Sequence, residues 1–141
     1  MEVRDNYVLD FGWFNADKPQ VIRVLVGLNG AVELEPRAMP MPDPNPIVVF
    51  DTRPIDRGDE FLRHKTTRRD RYDEARERFP EAYDVLLWNR LGQLCESTIA
   101  NIVVEIDDEY RTPPVDAGLL PGTMRAELID RGEIVEAMVT Y

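Results

Sequence analysis

Apolar and polar residues alternate on both sides of Asn29-Gly30, in VIRVLVGL at 21–28 and AVELEPR at 31–37. A period of two fits half-buried strands, and an Asn-Gly pair between two such runs is the strongest short-range hairpin signal, so the first predicted element is a β-hairpin. Residues 36–46 then carry Pro36, Pro40, Pro42, Pro44 and Pro46. That spacing removes backbone donors and forbids helix, which leaves a stiff extended connector. IVVFDT at 47–52 reads as a buried strand, and the loop after it is punctuated by Pro54 and Gly58. From 66 to 79 nearly every position is charged, with Tyr72, Ala75 and Phe79 as the apolar stripe at i, i+3 and i+7. This predicts an exposed amphipathic helix, ended by Pro80.

YDVLLWN at 83–89, QLCEST at 93–98 and ANIVVEID at 100–107 read as successive strands of a meander. Leu91-Gly92 and Asp107-Asp108 mark the turns, and a short EYRT strand closes it. PPVDAGLLPG at 113–122 is a loop, TMRAELID a helix with Gly132 at its C-terminal end, and EIVEAMVTY follows. Residues 1–20 show no clean period and are expected to be a leader segment ahead of one domain at 21–141.

The 141 residues suit a single domain, and 43% hydrophobic residues suffice for a core. With 17 basic against 27 acidic residues the net charge is -10, which opposes sequence-independent binding to nucleic acid. The longest apolar runs fall far short of the ~20 residues of a membrane span, and the acidic N-terminus is unlike a signal peptide. One cysteine, Cys95, and one histidine, His64, build neither an intrachain disulfide nor an ordinary zinc site. No metal site is expected, and a reducing, cytoplasmic setting is the default.

Fifteen of the basic residues are arginines; the two lysines are Lys18 and Lys65. Only lysine has an amine whose pKa can fall far enough to make a nucleophile, so these two invite scrutiny. Residues 63–78 carry seven bases against four acids, a local excess that suits either a small anionic ligand or a solvated helix laced with ion pairs.

Four pieces occur in order: HKTTRR around Lys65, E-x-x-x-x-N from Glu96 to Asn101, Thr112-Pro113-Pro114, and L-x-G-x-x-R of Leu120, Gly122 and Arg125. Together they resemble the fold-type IV pyridoxal-phosphate enzymes, the class IV aminotransferases and 4-amino-4-deoxychorismate lyases. The likeness is greatest to the lyase-like domain fused behind aminodeoxychorismate synthase, and it runs over about residues 21–136. It implies an α/β fold with a strongly curved, barrel-like sheet. Relatives of this kind are about twice as long, so the resemblance also implies that the small N-terminal domain, with its phosphate-binding arginine, and the C-terminal continuation are missing.

The implied cofactor is pyridoxal 5'-phosphate, which needs an amine for its aldehyde, an acid beside its ring nitrogen and donors for its phosphate. By resemblance Lys65 bonds the aldehyde and later moves the substrate's Cα proton, and Glu96 keeps the ring nitrogen protonated. Without the other pieces, Lys65 is a surface lysine at the head of a helix. The phosphate belongs at Gly122, Thr123 and Met124, where free N–H groups open a helix. Thr123, where relatives have an aliphatic residue, also suits an ordinary helix cap. Val103 stands where an aromatic is common. Arg125 either supports the site or pairs with an acid, and Tyr72 either approaches the ring oxygen or packs in the core. His64 suits a structural role, and Cys95 that of a small buried residue.

The implied function is that of an aminodeoxychorismate lyase, releasing pyruvate and 4-aminobenzoate for folate synthesis from a small, amino-acid-like substrate. Class IV transamination shares the cofactor motifs, and a non-catalytic remnant that keeps only the fold is the reading from another class. A homodimer is expected, because the family forms one and because a domain lacking its flanks exposes apolar surface.

Overall fold

A computed structural model describes residues 19–41 and 43–140. The expected leader, up to residue 18, lies outside them, and Gln20 already belongs to the first strand. The chain divides between residues 42 and 43 into two compact units.

The first unit is the predicted hairpin. Strand β1, Gln20–Val26, pairs antiparallel with β2, Val32–Ala38, in continuous register from Gln20 opposite Ala38 to Val26 opposite Val32. The connection is longer than an Asn-Gly two-residue turn. Gly27 N–H donates to the Ala31 carbonyl at 2.8 Å and Gly30 N–H to the Gly27 carbonyl at 2.9 Å, enclosing a three-residue loop with Gly30 at a φ of 80°. Pro36 stands inside β2, which is tolerated because a two-stranded sheet has only edge strands.

The second unit carries everything that bears on chemistry. Strand β3, Val48–Phe50, runs parallel to β4, Asp84–Trp88, and helix α1, Asp70–Arg78, lies in the crossover between them and packs on β4. β4 pairs antiparallel with β5, Leu94–Ser97, through the predicted turn at Gly92. Expected to be buried, β3 is an edge strand with Val48 and Phe50 exposed and only Val49 turned inward. Its end is anchored by Asp51, whose carboxylate receives Arg78 Nε at 2.9 Å and whose carbonyl receives Trp88 Nε1 at 2.6 Å.

Helix α1 starts four residues later than the charge pattern predicts. The Thr66 hydroxyl accepts the Arg68 N–H at 3.2 Å, offering the backbone a local turn in place of helix. The stripe itself holds: Tyr72 and Ala75 are buried and Phe79 packs at the margin of a core that includes Leu62, Val85, Leu87 and Cys95.

The meander breaks after β5. Instead of a third strand from residue 100, residues 98–103 turn away, because the Ser97 hydroxyl accepts the Ala100 N–H at 3.0 Å and the Ser97 N–H bonds the Ala100 carbonyl. Strand β6 is confined to Val104–Ile106, pairs antiparallel with β7, Glu109–Thr112, and belongs to a separate sheet completed by β8, Val135–Glu136. Asp107 and Asp108, both at positive φ, form the two-residue turn. Between β7 and β8 the chain makes a single 3₁₀ turn, Val115–Ala117, and helix α2, Thr123–Asp130. The fold is α/β, as expected, and the strands among the described residues form three small sheets.

Candidate active site

The segment leading into α1 is held at both ends. Asp59 caps the 3₁₀ turn Glu60–Leu62 by accepting the Phe61 N–H at 3.0 Å, and Leu62 at its end is 2% exposed. Arg69, at the start of α1, donates to the Thr98 carbonyl at 2.6 Å and lays its guanidinium over the Tyr72 ring, 4.6 Å from its centre. Lys65 sits between these anchors, exposed, in a narrow cleft shared with His64, Arg68, Arg69, Tyr72 and Leu120.

Behind this cleft lies Glu96. All four residues of β5 are buried, so its carboxylate, 4% exposed, must find its partners inside the protein. Tyr72 Oη donates to Oε1 at 2.6 Å, while Oε2 receives the Leu120 N–H and Asn101 Nδ2, each at 3.3 Å. Burial pushes the carboxyl up to about 7; the phenol, the Leu120 N–H, and the charges of Arg69 and Lys65 oppose it. Burial and the same carboxylate hold the Tyr72 phenol well above its ordinary range. Burial also raises the neighbouring Cys95 thiol to about 12, which makes it an inert packed side chain rather than a nucleophile.

Asn101 reaches further. Besides Glu96, its Nδ2 donates to the Leu120 carbonyl at 2.8 Å, and its Oδ1 accepts the Gly122 N–H at 3.2 Å. A Cβ on Gly122 would lie 2.2 Å from that oxygen, so the turn can close on Asn101 only with glycine there. Gly122 is the N-cap of α2, and no side chain caps this helix. Thr123 is therefore not the cap that its type suggested; it is the first helical residue. Thr123 and Met124 are exposed on the first turn, where the N–H groups of residues 123–125 have no intrahelical acceptor. Arg125 points the other way: buried, it donates to the Pro113 carbonyl at 2.8 Å and forms an ion pair with Glu136.

Of the residues singled out in the sequence, the structure gathers Lys65, Tyr72 and His64 around one cleft, with Glu96 and Gly122 joined to it through Tyr72, Leu120 and Asn101. Thr123 and Met124 follow directly on the chain but do not line that cleft. Of the alternatives for Tyr72, the structure shows core packing, with its hydroxyl bonded to Glu96. The sequence marks Leu120 and Asn101 only as motif letters; the E-x-x-x-x-N and L-x-G-x-x-R spacings were the available signal.

This donor set fits pyridoxal phosphate. A carboxylate has about four acceptor positions, and three donors on Glu96 leave one for a ring N–H. Lys65 supplies an amine close enough for its charge to act on Glu96, and the open turn of α2 supplies N–H donors for an anion.

Comparison with known proteins bears on the family and its cofactor. Residues 12–141 match the family described as amino-transferase class IV. A provisionally named aminodeoxychorismate lyase of Schizosaccharomyces pombe is 40% identical over 77 residues, spanning 52% of this chain and 33% of its own length. The aminodeoxychorismate lyase of Saccharomyces cerevisiae is 33% identical over 109 residues, 63% of this chain and 29% of its own length. Among solved structures, a provisionally named amino-acid aminotransferase from Mesorhizobium loti aligns with a TM-score of 0.79 and 36% identity, covering 86% of this chain and 61% of that one. The chain thus spans about a third of the length of these curated relatives.

Proposed function

The chain belongs to the class IV aminotransferases, a family dependent on pyridoxal 5'-phosphate, and we propose that it is an aminodeoxychorismate lyase-like enzyme built around Lys65 and Glu96. The observation that carries this reading is the buried Glu96 carboxylate, held by three donors immediately behind the cleft that contains Lys65. Nothing in ordinary core packing calls for a carboxylate there.

When bound, pyridoxal phosphate supplies an electron sink for the pair left on the substrate's Cα. The residues of this chain do the rest. Lys65 would hold the cofactor's aldehyde through its amine and, once free, would act as the base that takes the substrate's Cα proton. Glu96 holds the ring nitrogen protonated, so the sink stays electron-poor. The free backbone N–H groups of Thr123 and Met124 would receive the phosphate, and Gly122, whose own N–H is held by Asn101, would allow its close approach. Tyr72 and Arg69 wall the cleft on the side of α1.

Elimination then releases pyruvate and leaves 4-aminobenzoate, a reaction that would place the enzyme in folate synthesis. The likeness to the two yeast lyases supports this outcome. Transamination uses the same residues, and the structural likeness to the Mesorhizobium loti aminotransferase favours it as the second reading. Incubation with aminodeoxychorismate separates them. A lyase forms pyruvate and aminobenzoate without a keto-acid acceptor, whereas a transaminase turns over only when one is supplied. A chain that does neither with cofactor bound would be the non-catalytic member. We also propose a homodimer in a reducing, cytoplasmic setting, with exposed apolar residues such as Ile99 and Val103 available for contact. Among the described residues, no helix is long and apolar enough to cross a membrane.

A further inference from the structure

We propose that Asn101 is a positioning residue that locks the Glu96 carboxylate to the turn at Leu120–Gly122, so that the ring-nitrogen end and the phosphate end of the cofactor site are set as one unit. The inference rests on the cofactor reading above and gives it a mechanical basis. One side chain spans both ends: its amide donates to Glu96 Oε2 and to the Leu120 carbonyl, and its oxygen accepts from Gly122. The Leu120 N–H closes the circuit on the same Glu96 oxygen. Each end therefore constrains the other across 26 positions of sequence, with no shared strand or helix between them.

The circuit explains the glycine. Gly122 has a φ of -70° and a ψ of 148°, a conformation open to any residue, so its backbone does not require glycine. The obstacle is Asn101 Oδ1 at 2.2 Å from the position of a Cβ. Alanine at 122 must push Asn101 aside, and with it the amide that holds Glu96.

The consequence is measurable without cofactor, by following the Glu96 carboxyl titration by carbon NMR in the ligand-free full chain, with Glu96→Gln used to assign the signal. The other titratable groups facing this carboxyl are Tyr72 on α1, Lys65 and Arg69 ahead of it, and Cys95 beside it on β5. None of them is altered. Losing a donor to the charged form raises a carboxyl's midpoint, so Gly122→Ala, which does not touch Glu96, is expected to raise it by about half a pH unit or more. Asn101→Ala does the same, and in that background Gly122→Ala adds nothing. An unchanged midpoint in Gly122→Ala, or effects that simply add in the double variant, overturns the proposal. A purely structural Asn101 would lower the melting temperature without moving this midpoint. Should Gly122→Ala fail to fold, Asn101→Asp replaces it: it keeps the shape, loses both donated bonds and sets a second carboxylate beside Glu96, and a wild-type midpoint there is equally fatal. Equilibrium dialysis with pyridoxal phosphate is the second arm, with about a tenfold higher Kd expected for Asn101→Ala. Failure of the wild-type chain to bind rejects the cofactor reading, and the titration still decides the role of Asn101.

Discussion

The Tyr72 hydroxyl of α1 donates to Glu96 Oε1 of β5 at 2.6 Å, with both residues buried. This bond joins the helix that follows Lys65 to the strand that carries the acid. It also makes the protonation of Glu96 depend on how α1 is packed.

Tyr72→Phe keeps the ring in the core and removes only the phenolic donor. The carboxyl then loses a group that opposes its upward displacement, so its midpoint is expected to rise above about 7. Stability should fall by about 1–2 kcal/mol, the cost of leaving a buried acceptor short of a partner. Carboxyl titration and denaturant unfolding of the ligand-free chain check both; an unchanged midpoint would mean that the bond does not form in solution.

Stability should also depend on pH in a direction set by Glu96. Its folded midpoint of about 7 lies above the ordinary 4.5, so between these values the folded state holds a proton that the unfolded state has released. The contribution of this group is present below about pH 4.5 and is lost as pH rises toward 7, with a limiting slope of about 1.4 kcal/mol per pH unit. Unfolding free energies of wild type and Glu96→Gln, compared from pH 4.5 to 7.5, should diverge accordingly, the variant losing less. Parallel curves would contradict the assignment.

Arg78 and Arg131 both form ion pairs and should respond differently to removal. The Asp51 carboxylate is 2% exposed, and Arg78→Ala leaves it buried without its cation, at a cost of about 3 kcal/mol. Arg131 pairs with Glu127 in solvent, both side chains more than half exposed, and Arg131→Ala should cost less than about 1 kcal/mol. Equal losses in thermal unfolding would show that burial is not what distinguishes them.

The elements that were legible in the sequence are those specified by local pattern. The β1–β2 hairpin follows from alternation about Asn29-Gly30, the buried face of α1 from Tyr72 and Ala75, and the Asp107-Asp108 turn from two residues that tolerate positive φ. Three features needed the folded chain. The exposure of β3 depends on its being a parallel edge, which its uniformly apolar sequence conceals. The break after β5 depends on hydroxyl bonds from Ser97 that compete with strand pairing. Within the site, Lys65, Glu96 and Gly122 could be singled out by family resemblance, but periodicity carried no trace of the bonds that Asn101 makes to Glu96, Leu120 and Gly122, because those partners lie 5 to 21 residues away.

The central claim is that Lys65 is the amine that bonds pyridoxal phosphate. The most direct test is borohydride reduction of the cofactor-treated chain followed by peptide mass mapping. A single reduced adduct on Lys65, lost in Lys65→Ala, is the expected result. An adduct on Lys18 or the N-terminus with Lys65 unmodified, or none at all, would contradict the account.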